Sequence, residues 1–511
     1  MPFHNLNTGL PNFDCNGFDH TIIGAGAIGI LLAIKLTAKG KRVLLIESGH
    51  FEVDEERQAL NEVINTGKEL TSAAWGRKRA IGGTTLAWGG QSLPFSELDL
   101  LKKDWVANSG WPITYQDIEN YYPVANAFMG IDTLNYSTDV FPGIKVDPPN
   151  FDPQKFSYHL SKWANEPNFQ KLYKNQLEKN VTVIYNATLK NIEKNSQGNI
   201  TDIHITSYSM LEMKVPVKKL IIATGAIETS RIVLSNKIID EQHQPPVGKY
   251  FMEHPCCEVG EITTTNNYRL QKYFSTHVWN GKKYSIRLSS STAFQRTDKI
   301  LNCSASILFE PSKTKFNLYD EAKLLLQKFN LGRALRISAN LPIILKAAAA
   351  YYNDRFFYKI NADNKLILMV EQEPLAESFI SLSNEVDRFG IPKAIVNWEI
   401  SYKTWETVCK MCESLKLELE KNGFGAVAIH PGFYLENKNW KQLLSDVNHH
   451  MGGCRMGDNP ATSVVDKNLK LWGTQNLYLC GCAVFPTSSH SNPTLTALAL
   501  AARLVDELTK A

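Results

Sequence analysis

A histidine and an asparagine near the end of the chain carry the chemistry that this sequence displays most plainly. His449 opens His449-His-Met-Gly-Gly-Cys-Arg-Met-Gly457, and Asn492 opens Asn492-Pro-Thr-Leu-Thr496, 43 positions further on. Oxidising an alcohol with a flavin needs a base for the hydroxyl proton, an acceptor for the hydride and a group that holds the oxygen. A neutral imidazole, with an ordinary pKa of about 6.5, can take the proton at physiological pH. A carboxamide can hold the oxygen. A lone histidine is more often structural, and it is the surrounding motif that raises His449 above the others. His450 and His490 are close competitors. His254, in Phe251-Met-Glu-His-Pro255, reads as a turn or packing residue. Asn492 followed by Pro493 is also a standard start for a helix over Thr494–Leu508. If its side chain serves a substrate, it cannot fully cap that helix.

The hydride acceptor points to the other end of the chain. Phe18–Ile23 reads as a strand, Ala27–Lys39 as a helix and Arg42–Glu47 as a second strand, with Gly24-Ala-Gly-Ala-Ile-Gly29 at the first junction. This is the spacing of a dinucleotide-binding βαβ unit. Gly24 permits the tight turn, Gly26 lets backbone approach a pyrophosphate, and Gly29 allows helix and strand to pack closely. The helix N-terminus offers free N–H groups and a partial positive charge to phosphates. Glu47 can accept hydrogen bonds from both ribose hydroxyls, and its charge disfavours a 2′-phosphate. The motif does not by itself separate FAD from NAD.

Arg77-Lys-Arg-Ala-Ile-Gly-Gly-Thr-Thr-Leu-Ala-Trp-Gly-Gly90 is a second glycine-rich loop, unfit for regular helix and suited to close approach of a flat ligand. Thr114 and Asp117 read as a capping pair that starts a helix within Trp111–Tyr122. Val181–Tyr185 reads as a strand continued by 188–194 and 200–207 as a small meander. Lys218–Ala223 reads as another apolar strand, turning at Gly225 into a helix over Glu228–Ser235. Residues 256–310 and 365–400 alternate as strands and suggest a mainly antiparallel sheet. Tyr319–Tyr358 is helical in pattern, read as a hairpin packed on that sheet, with a lid, partner surface or membrane-touching helix as alternatives. Asn476–Pro486 reads as a strand ending at a glycine turn.

Bulk properties set the frame. At 511 residues the chain is long enough for two or more domains. With 43% hydrophobic and 21% charged residues it is of ordinary globular composition, and a net charge of +4 gives no reason to invoke nucleic acid. No apolar run is long enough to span a bilayer. The N-terminus has neither a signal-peptide pattern nor twin arginines. The nine cysteines are odd in number and irregular in spacing, which argues against a disulfide scaffold and for a reducing, cytoplasmic setting. Cys409 and Cys412 fall inside an amphipathic helix, Tyr402–Lys421, and read as core residues. No His/Cys cluster has zinc spacing, so no metal is expected.

Taken in order, these segments resemble the glucose-methanol-choline (GMC) oxidoreductases. The matches are Gly24–Gly29, Gly82-Gly-Thr-Thr85, Trp111-Pro-Ile-Thr-Tyr115, Gly225-Ala-Ile-Glu-Thr229, Gly248–Pro255, Glu371-Gln-Glu-Pro374 and the two C-terminal motifs. Cys480-Gly-Cys-Ala-Val-Phe-Pro-Thr487 and Asn492-Pro-Thr-Leu-Thr496 look most like pyranose oxidases and bacterial sugar or polyol dehydrogenases. The resemblance implies an α/β fold: a Rossmann-like FAD-binding domain and a second, substrate domain built on a mainly antiparallel sheet. It divides the chain into 1–105, 160–255 and 440–511 for FAD, and 106–159 and 256–439 for substrate. It implies oxidation of a CH–OH group of a sugar, glycoside or polyol, with His449 as base and Asn492 as its partner. Around the cofactor it sets Gly24, Gly26, Ala27, Ile28, Gly29, Glu47 and Ser48. The second loop adds Arg79, Gly82, Gly83, Thr84, Trp88 and Gly89. Leu189, Gly225, Gly481, Cys482 and Thr494 complete the set. In fungal pyranose oxidases a histidine of this second loop attaches covalently to FAD. Ala87 stands there in this chain, so non-covalent FAD is expected. Gly481 replaces an acid that many members carry, leaving a backbone contact. Alternatives are a non-redox lyase on the same fold or the flavin subunit of a multi-protein dehydrogenase. A homo-oligomer is compatible with either reading, and oxygen, a quinone or a protein could be the electron acceptor.

Overall fold

In the computed structural model, residues 3–137, 139–239, 245–311 and 331–510 are described. Short, continuously apolar strands dominate the N-terminal part. His20–Ile23 and Val43–Glu47 are buried at every position, the pattern of strands covered on both faces in a parallel sheet. They belong to a six-stranded sheet in the order Phe3–Asn5, Thr182–Tyr185, Val43–Glu47, His20–Ile23, Leu220–Ile222, Leu477–Leu479. All five pairings are parallel. The last pairing matters most for function, because it inserts the C-terminal segment beside the N-terminal strands. The helices Ala27–Ala38 and Pro493–Thr509 pack on one another, and both bury Ala- and Leu-rich faces in the same core.

The meander is separate from this sheet. Thr188–Lys194, Ile200–Thr206 and Glu212–Pro216 form their own antiparallel sheet. The chain leaves the parallel sheet at Asn186, which adopts a left-handed φ of 56° that Asn tolerates better than most residues. A continuous extension of Thr182–Tyr185 is thereby broken.

The larger antiparallel sheet has eight strands. Its order is Ala426–Ile429, Cys256–Thr263, Ala362–Val370, Cys303–Pro311, Lys282–Ser290, Phe156–Trp163 and Gln91–Ser92, with Thr276–Trp279 hairpinned to Lys282–Ser290. Phe156–Trp163 lies wholly in this sheet and spans the expected division at 159–160, and Gln91–Ser92 joins it from the 1–105 segment. Residues 379–397 do not join it. Phe379–Val386 and Pro392–Asn397 form a hairpin whose second strand pairs in parallel with Val63–Asn65. Between the two regions the backbone leaves the sheet after Val370, where Gln372 N donates to Ser488 Oγ instead of to a neighbouring strand.

Tyr402–Lys421 is one helix, capped by Ser401 Oγ on Thr404 N, and it buries Trp405, Val408, Cys409, Cys412, Leu415 and Leu419 at helical spacing. Cys409 and Cys412 are free core thiols, and burial pushes both upward in pKa. Of the helical stretch 319–358, residues 319–330 lie outside the described part. The rest forms Leu331–Ala339 and Leu341–Asp354. The second helix docks at its C-terminal end, where Lys272 Nζ meets Asp354 at 2.8 Å and Val278 N donates to Arg355 O. Leu341, Leu345, Tyr351 and Tyr352 stay exposed. Among the described residues no helix is long and apolar enough to cross a membrane.

Candidate active site

The two glycine-rich loops close on each other. Gly24 has a φ of 100°, which a side chain would strain, and a Cβ there would sit 2.7 Å from Ala223 O. A Cβ on Gly29 would lie 1.8 Å from Gly24 O, so helix Ala27–Ala38 seats directly on its own turn. Gly26 is different, since nothing of the protein lies within 4 Å of the space its Cβ would take. That space opens into a cavity of about 630 Å³, within the range of small-molecule sites. Gly82 N donates to Ala25 O at 2.8 Å, and a Cβ on Gly83 would approach Gly26 Cα to 2.8 Å. The second loop is pinned elsewhere by Trp88 Nε1 on Pro167 O and by Thr85 Oγ1 between Gly82 O and Phe169 N. It contains a short 3-10 turn, Gly83–Leu86, instead of a wholly irregular path.

A dinucleotide fits this cradle. Gly26 is the N-cap of the helix with no side-chain cap, which leaves the first-turn N–H groups available at the cavity. Arg77, Lys78 and Arg79 line the wall with Glu47 and Glu228, an excess of one positive charge. Arg79 pairs with Glu228 at 2.8 Å and donates to Ser48 Oγ at 2.9 Å. Glu47 also holds the loop, because its oxygens accept from Ala25 N at 2.7 Å and Gly49 N at 2.8 Å. Oε1 also accepts from Ser48 Oγ at 3.4 Å, and Oε2 keeps a further lone pair for a ribose hydroxyl. Burial raises the pKa of this carboxyl against those two N–H groups.

The C-terminal residues enter the same cavity. His449, His450, Cys480, Gly481, Cys482, Asn492, Pro493 and Thr494 line it with the loop residues. His449 Nε2 lies 3.3 Å from Asn492 Nδ2. Asn492 occupies the N-cap of helix Pro493–Thr509 without a capping hydrogen bond, so its amide serves His449 instead of the helix. Gly481, at φ 124°, takes a backbone shape reserved for glycine. His449 is fixed from behind by Glu253, whose two oxygens accept from His449 N at 2.7 and 2.8 Å. Glu253 Oε1 also accepts from His254 N.

Two expected cofactor residues do not line the cavity. Gly29 and Gly82 lie behind its wall, where they set helix seating and loop pairing. The other residues expected at the cofactor, Gly24, Gly26, Ala27, Ile28, Glu47, Ser48, Arg79, Gly83, Thr84, Trp88, Gly89, Leu189, Gly225, Gly481, Cys482 and Thr494, all line it. His254, read as a turn or packing residue, is fully buried, and its Nδ1 also lies 2.9 Å from His449 Nδ1. Proximity across 195 positions left no sequence signal beyond the Glu-His pair itself. Of the competitors, His450 binds Ser72 Oγ at 2.8 Å, and His490 faces His159 with ring centroids 6.0 Å apart. Gln91, Trp163 and Asn61 are lining residues that spacing could not single out. A larger and more open groove, about 1020 Å³, lies by His4, Phe13 and Arg42. It is lined by the 9–14 loop and by Asp14, Lys41, Arg42 and Lys179, and neither the glycine-rich motif loops nor the C-terminal motifs reach it.

Burial dominates the electrostatics. It holds His449 well below its ordinary value, with His254, His450 and Arg287 adding to the effect. His159 and His254 are lowered to about 4, and His450 and His490 to about 3. Glu253 is pushed up to about 8 by burial, against backbone N–H groups of His254, His449 and Val447. The histidines stay neutral when folded and take protons near 6.5 when unfolded. Their stability contribution is full above pH 6.5 and falls as pH drops toward 4, by about 1 kcal/mol per histidine per pH unit. Glu253 acts in the opposite sense, favouring the fold below 4.5 and losing that effect toward pH 8. Five histidines outweigh one carboxyl. The thermal midpoint should therefore fall by several degrees between pH 6.5 and 5, read by circular dichroism; a flat or rising midpoint would contradict the buried neutral cluster.

Residues 374–501 match the family model described as GMC oxidoreductase. The chain is 22% identical to the fructose dehydrogenase large subunit of Gluconobacter japonicus, over 96% of this chain and 97% of that protein. It is 32% identical to pyranose 2-oxidase of Emericella nidulans over 24% of this chain and 21% of that one. It is 29% identical to C-glycoside 3-oxidase of Microbacterium trichothecenolyticum over 25% of this chain and 24% of that one. Among solved structures, pyridoxine 4-oxidase of Mesorbium loti shares the fold at a TM-score of 0.57 and 13% identity, covering 96% of this chain and 99% of that one. Residues 374–501 are thus a GMC oxidoreductase domain, and along its length the chain is similar to oxidoreductases that act on sugars and alcohols.

Proposed function

We propose that this protein oxidises a CH–OH group of a sugar, glycoside or polyol, with FAD held non-covalently in the cavity between the two glycine-rich loops. The observation that carries the reading is the meeting of His449 Nε2 and Asn492 Nδ2, 3.3 Å apart, on the wall of that cavity. Bound FAD supplies the hydride acceptor. The chain supplies the rest. A substrate hydroxyl placed between the two side chains gives its proton to His449 Nε2, while its oxygen accepts from the Asn492 amide. His449 is neutral over the working pH range because it is buried, so it is ready to accept. The helix beginning at Pro493 turns its positive end to the same wall, where negative charge is stabilised.

A polyhydroxylated substrate suits the adjoining sheet face. Gln91 Nε2 bonds Ser161 Oγ, Trp163 Nε1 bonds Ser285 Oγ, His159 bonds Ser289 Oγ, and Arg287 donates to Gln91 Oε1. Such hydroxyl, amide and guanidinium groups can exchange partners with sugar hydroxyls. The names of the relatives, among them a fructose dehydrogenase subunit and a pyranose 2-oxidase, support the same class. Nine free cysteines fit a reducing, cytoplasmic setting. A second reading is the flavin-bearing subunit of a multi-protein dehydrogenase. It is favoured by the full-length likeness to a large subunit and by exposed Leu341, Leu345, Tyr351 and Tyr352. Gel filtration of the natively extracted protein decides this: a heteromeric complex supports the second reading, and elution as the chain alone or as a homo-oligomer removes it.

Ala87 on the cavity wall offers no bond to the flavin. Acid precipitation of the holoprotein should leave the flavin in the supernatant. Gly26→Ala should fold normally, since the added methyl meets no protein atom, yet carry no flavin. Gly29→Ala should lose thermal stability, because its methyl would fall on Gly24 O. Equal flavin content in Gly26→Ala and wild type would contradict the placement.

His449→Ala should keep bound FAD and lose flavin reduction by sugars by about three orders of magnitude or more. The measurement is flavin absorbance after anaerobic mixing in a stopped-flow cell. Near-normal bleaching in the variant would sink the assignment of the base. Absence of bleaching in wild type with every sugar and polyol tried would favour a non-redox lyase.

A further inference from the structure

The contact between His254 and His449 has a direction. His254 Nε2 lies 3.0 Å from the carbonyl oxygen of Ser488. A carbonyl oxygen only accepts, so Nε2 must carry a proton. The neutral His254 ring then has a bare Nδ1. That nitrogen lies 2.9 Å from His449 Nδ1, and of two nitrogens so close, one must donate. His449 Nδ1 is therefore the donor. Its own ring, when neutral, has its lone pair on Nε2, the atom beside Asn492 Nδ2.

We propose that His254 is a positioning residue that fixes the tautomer of His449: Ser488 O holds the proton on His254 Nε2, His254 Nδ1 accepts from His449 Nδ1, and the bare His449 Nε2 is turned to the cavity as base. This inference rests on the reading of His449 as the base. The two rings stand nearly perpendicular, at 82° with centroids 4.9 Å apart, so each edge nitrogen meets its partner in one orientation only.

The surroundings hold the relay in place. Met252 and Met451 exchange both backbone hydrogen bonds. Glu253 collects the backbone N–H groups of His254 and His449. Gln372 accepts from Glu253 N through its side chain, and its backbone N donates to Ser488 Oγ at 2.9 Å. The charged and titratable groups around the pair include Glu253, Asp99, His450, His490 and Arg287. His254 itself is wholly inaccessible and is lowered to about 4 by burial, so it stays neutral and its Nδ1 stays an acceptor. When His449 takes the substrate proton on Nε2, its Nδ1–H keeps the same partner. The imidazolium faces a neutral imidazole instead of a carboxylate, which makes it a short-lived acid that gives up its proton readily.

The test compares His254→Asn with His254→Leu, beside ¹⁵N NMR of histidine-labelled holoprotein. The His449 resonances are identified by their loss in His449→Ala. In wild type at pH 7.5, Nδ1 of His449 should show a protonated shift and Nε2 an unprotonated one; a proton on Nε2 would overturn the proposal. Asparagine offers an acceptor oxygen near the Nδ1 position, and leucine fills the space with none. His254→Leu should slow flavin reduction about 100-fold, with the substrate concentration for half-saturation changed less than about threefold. His254→Asn should stay within about tenfold of wild type. A packing role predicts the reverse order, leucine above asparagine in a buried site. If His449→Ala reduces its flavin normally, the base assignment fails. If His449→Ala is inert and His254→Leu matches wild type, the relay alone fails. Should His254→Leu not fold, the wild-type resonances still decide.

Discussion

A buried cluster of polar groups that must satisfy one another governs this active site. Glu253 and His254 are wholly shielded from solvent, and a polar group buried without a partner costs several kcal/mol. Each finds its partners in segments far away in sequence: His449, Ser488 and Gln372. Meeting that demand stitches the 251–255 segment to 447–452 and to 486–489. The orientation of His449 is a consequence of this stitching, because its backbone N–H and its Nδ1 are both taken. Only Nε2 faces the cavity. The same dryness keeps the imidazoles neutral, which a base needs.

The fold brings the two halves of the site together through one strand pairing. Leu477–Leu479 lies in parallel beside Leu220–Ile222, which lies beside His20–Ile23. The turns after these neighbouring strands carry Gly481, Gly225 and Gly24, and all three line one cavity. A parallel sheet gathers its strand ends on one edge, so residues from the beginning, middle and end of the chain meet there. Asn492 shows what the arrangement costs locally. An asparagine at an N-cap ordinarily contributes about 1 kcal/mol by accepting from the helix. Here that contribution is forgone, and the amide is spent on His449.

Much of this was legible in the residue order. The first βαβ unit followed from the apolar runs and three glycines, and its strands and helix fall within two residues of the expected bounds. Tyr402–Lys421 was readable because its buried face repeats at helical spacing over five turns. Thr114 and Asp117 do exchange capping hydrogen bonds, although the helix itself begins at Gln116. What could not be read depends on pairing across long separations. Residues 379–397 alternate like the strands before them, and nothing local says that their partner is Val63–Asn65. Gly29 and Gly82 belong to the right motifs, yet a motif does not tell which glycine faces the ligand and which seats the helix. His254 was passed over because a His-Pro pair looks like a turn until His449 is placed beside it.

The central claim is that His449 Nε2 and Asn492 Nδ2 together grip the hydroxyl that is oxidised. A crystal structure of the holoprotein with a sugar analogue, fluorinated so that it cannot be oxidised, tests it most directly. The account predicts one hydroxyl oxygen within hydrogen-bond distance of both atoms, with the flavin ring on the glycine-loop side of the cavity. A sugar bound with its hydroxyls turned away from both side chains, or a flavin ring seated elsewhere, would contradict it.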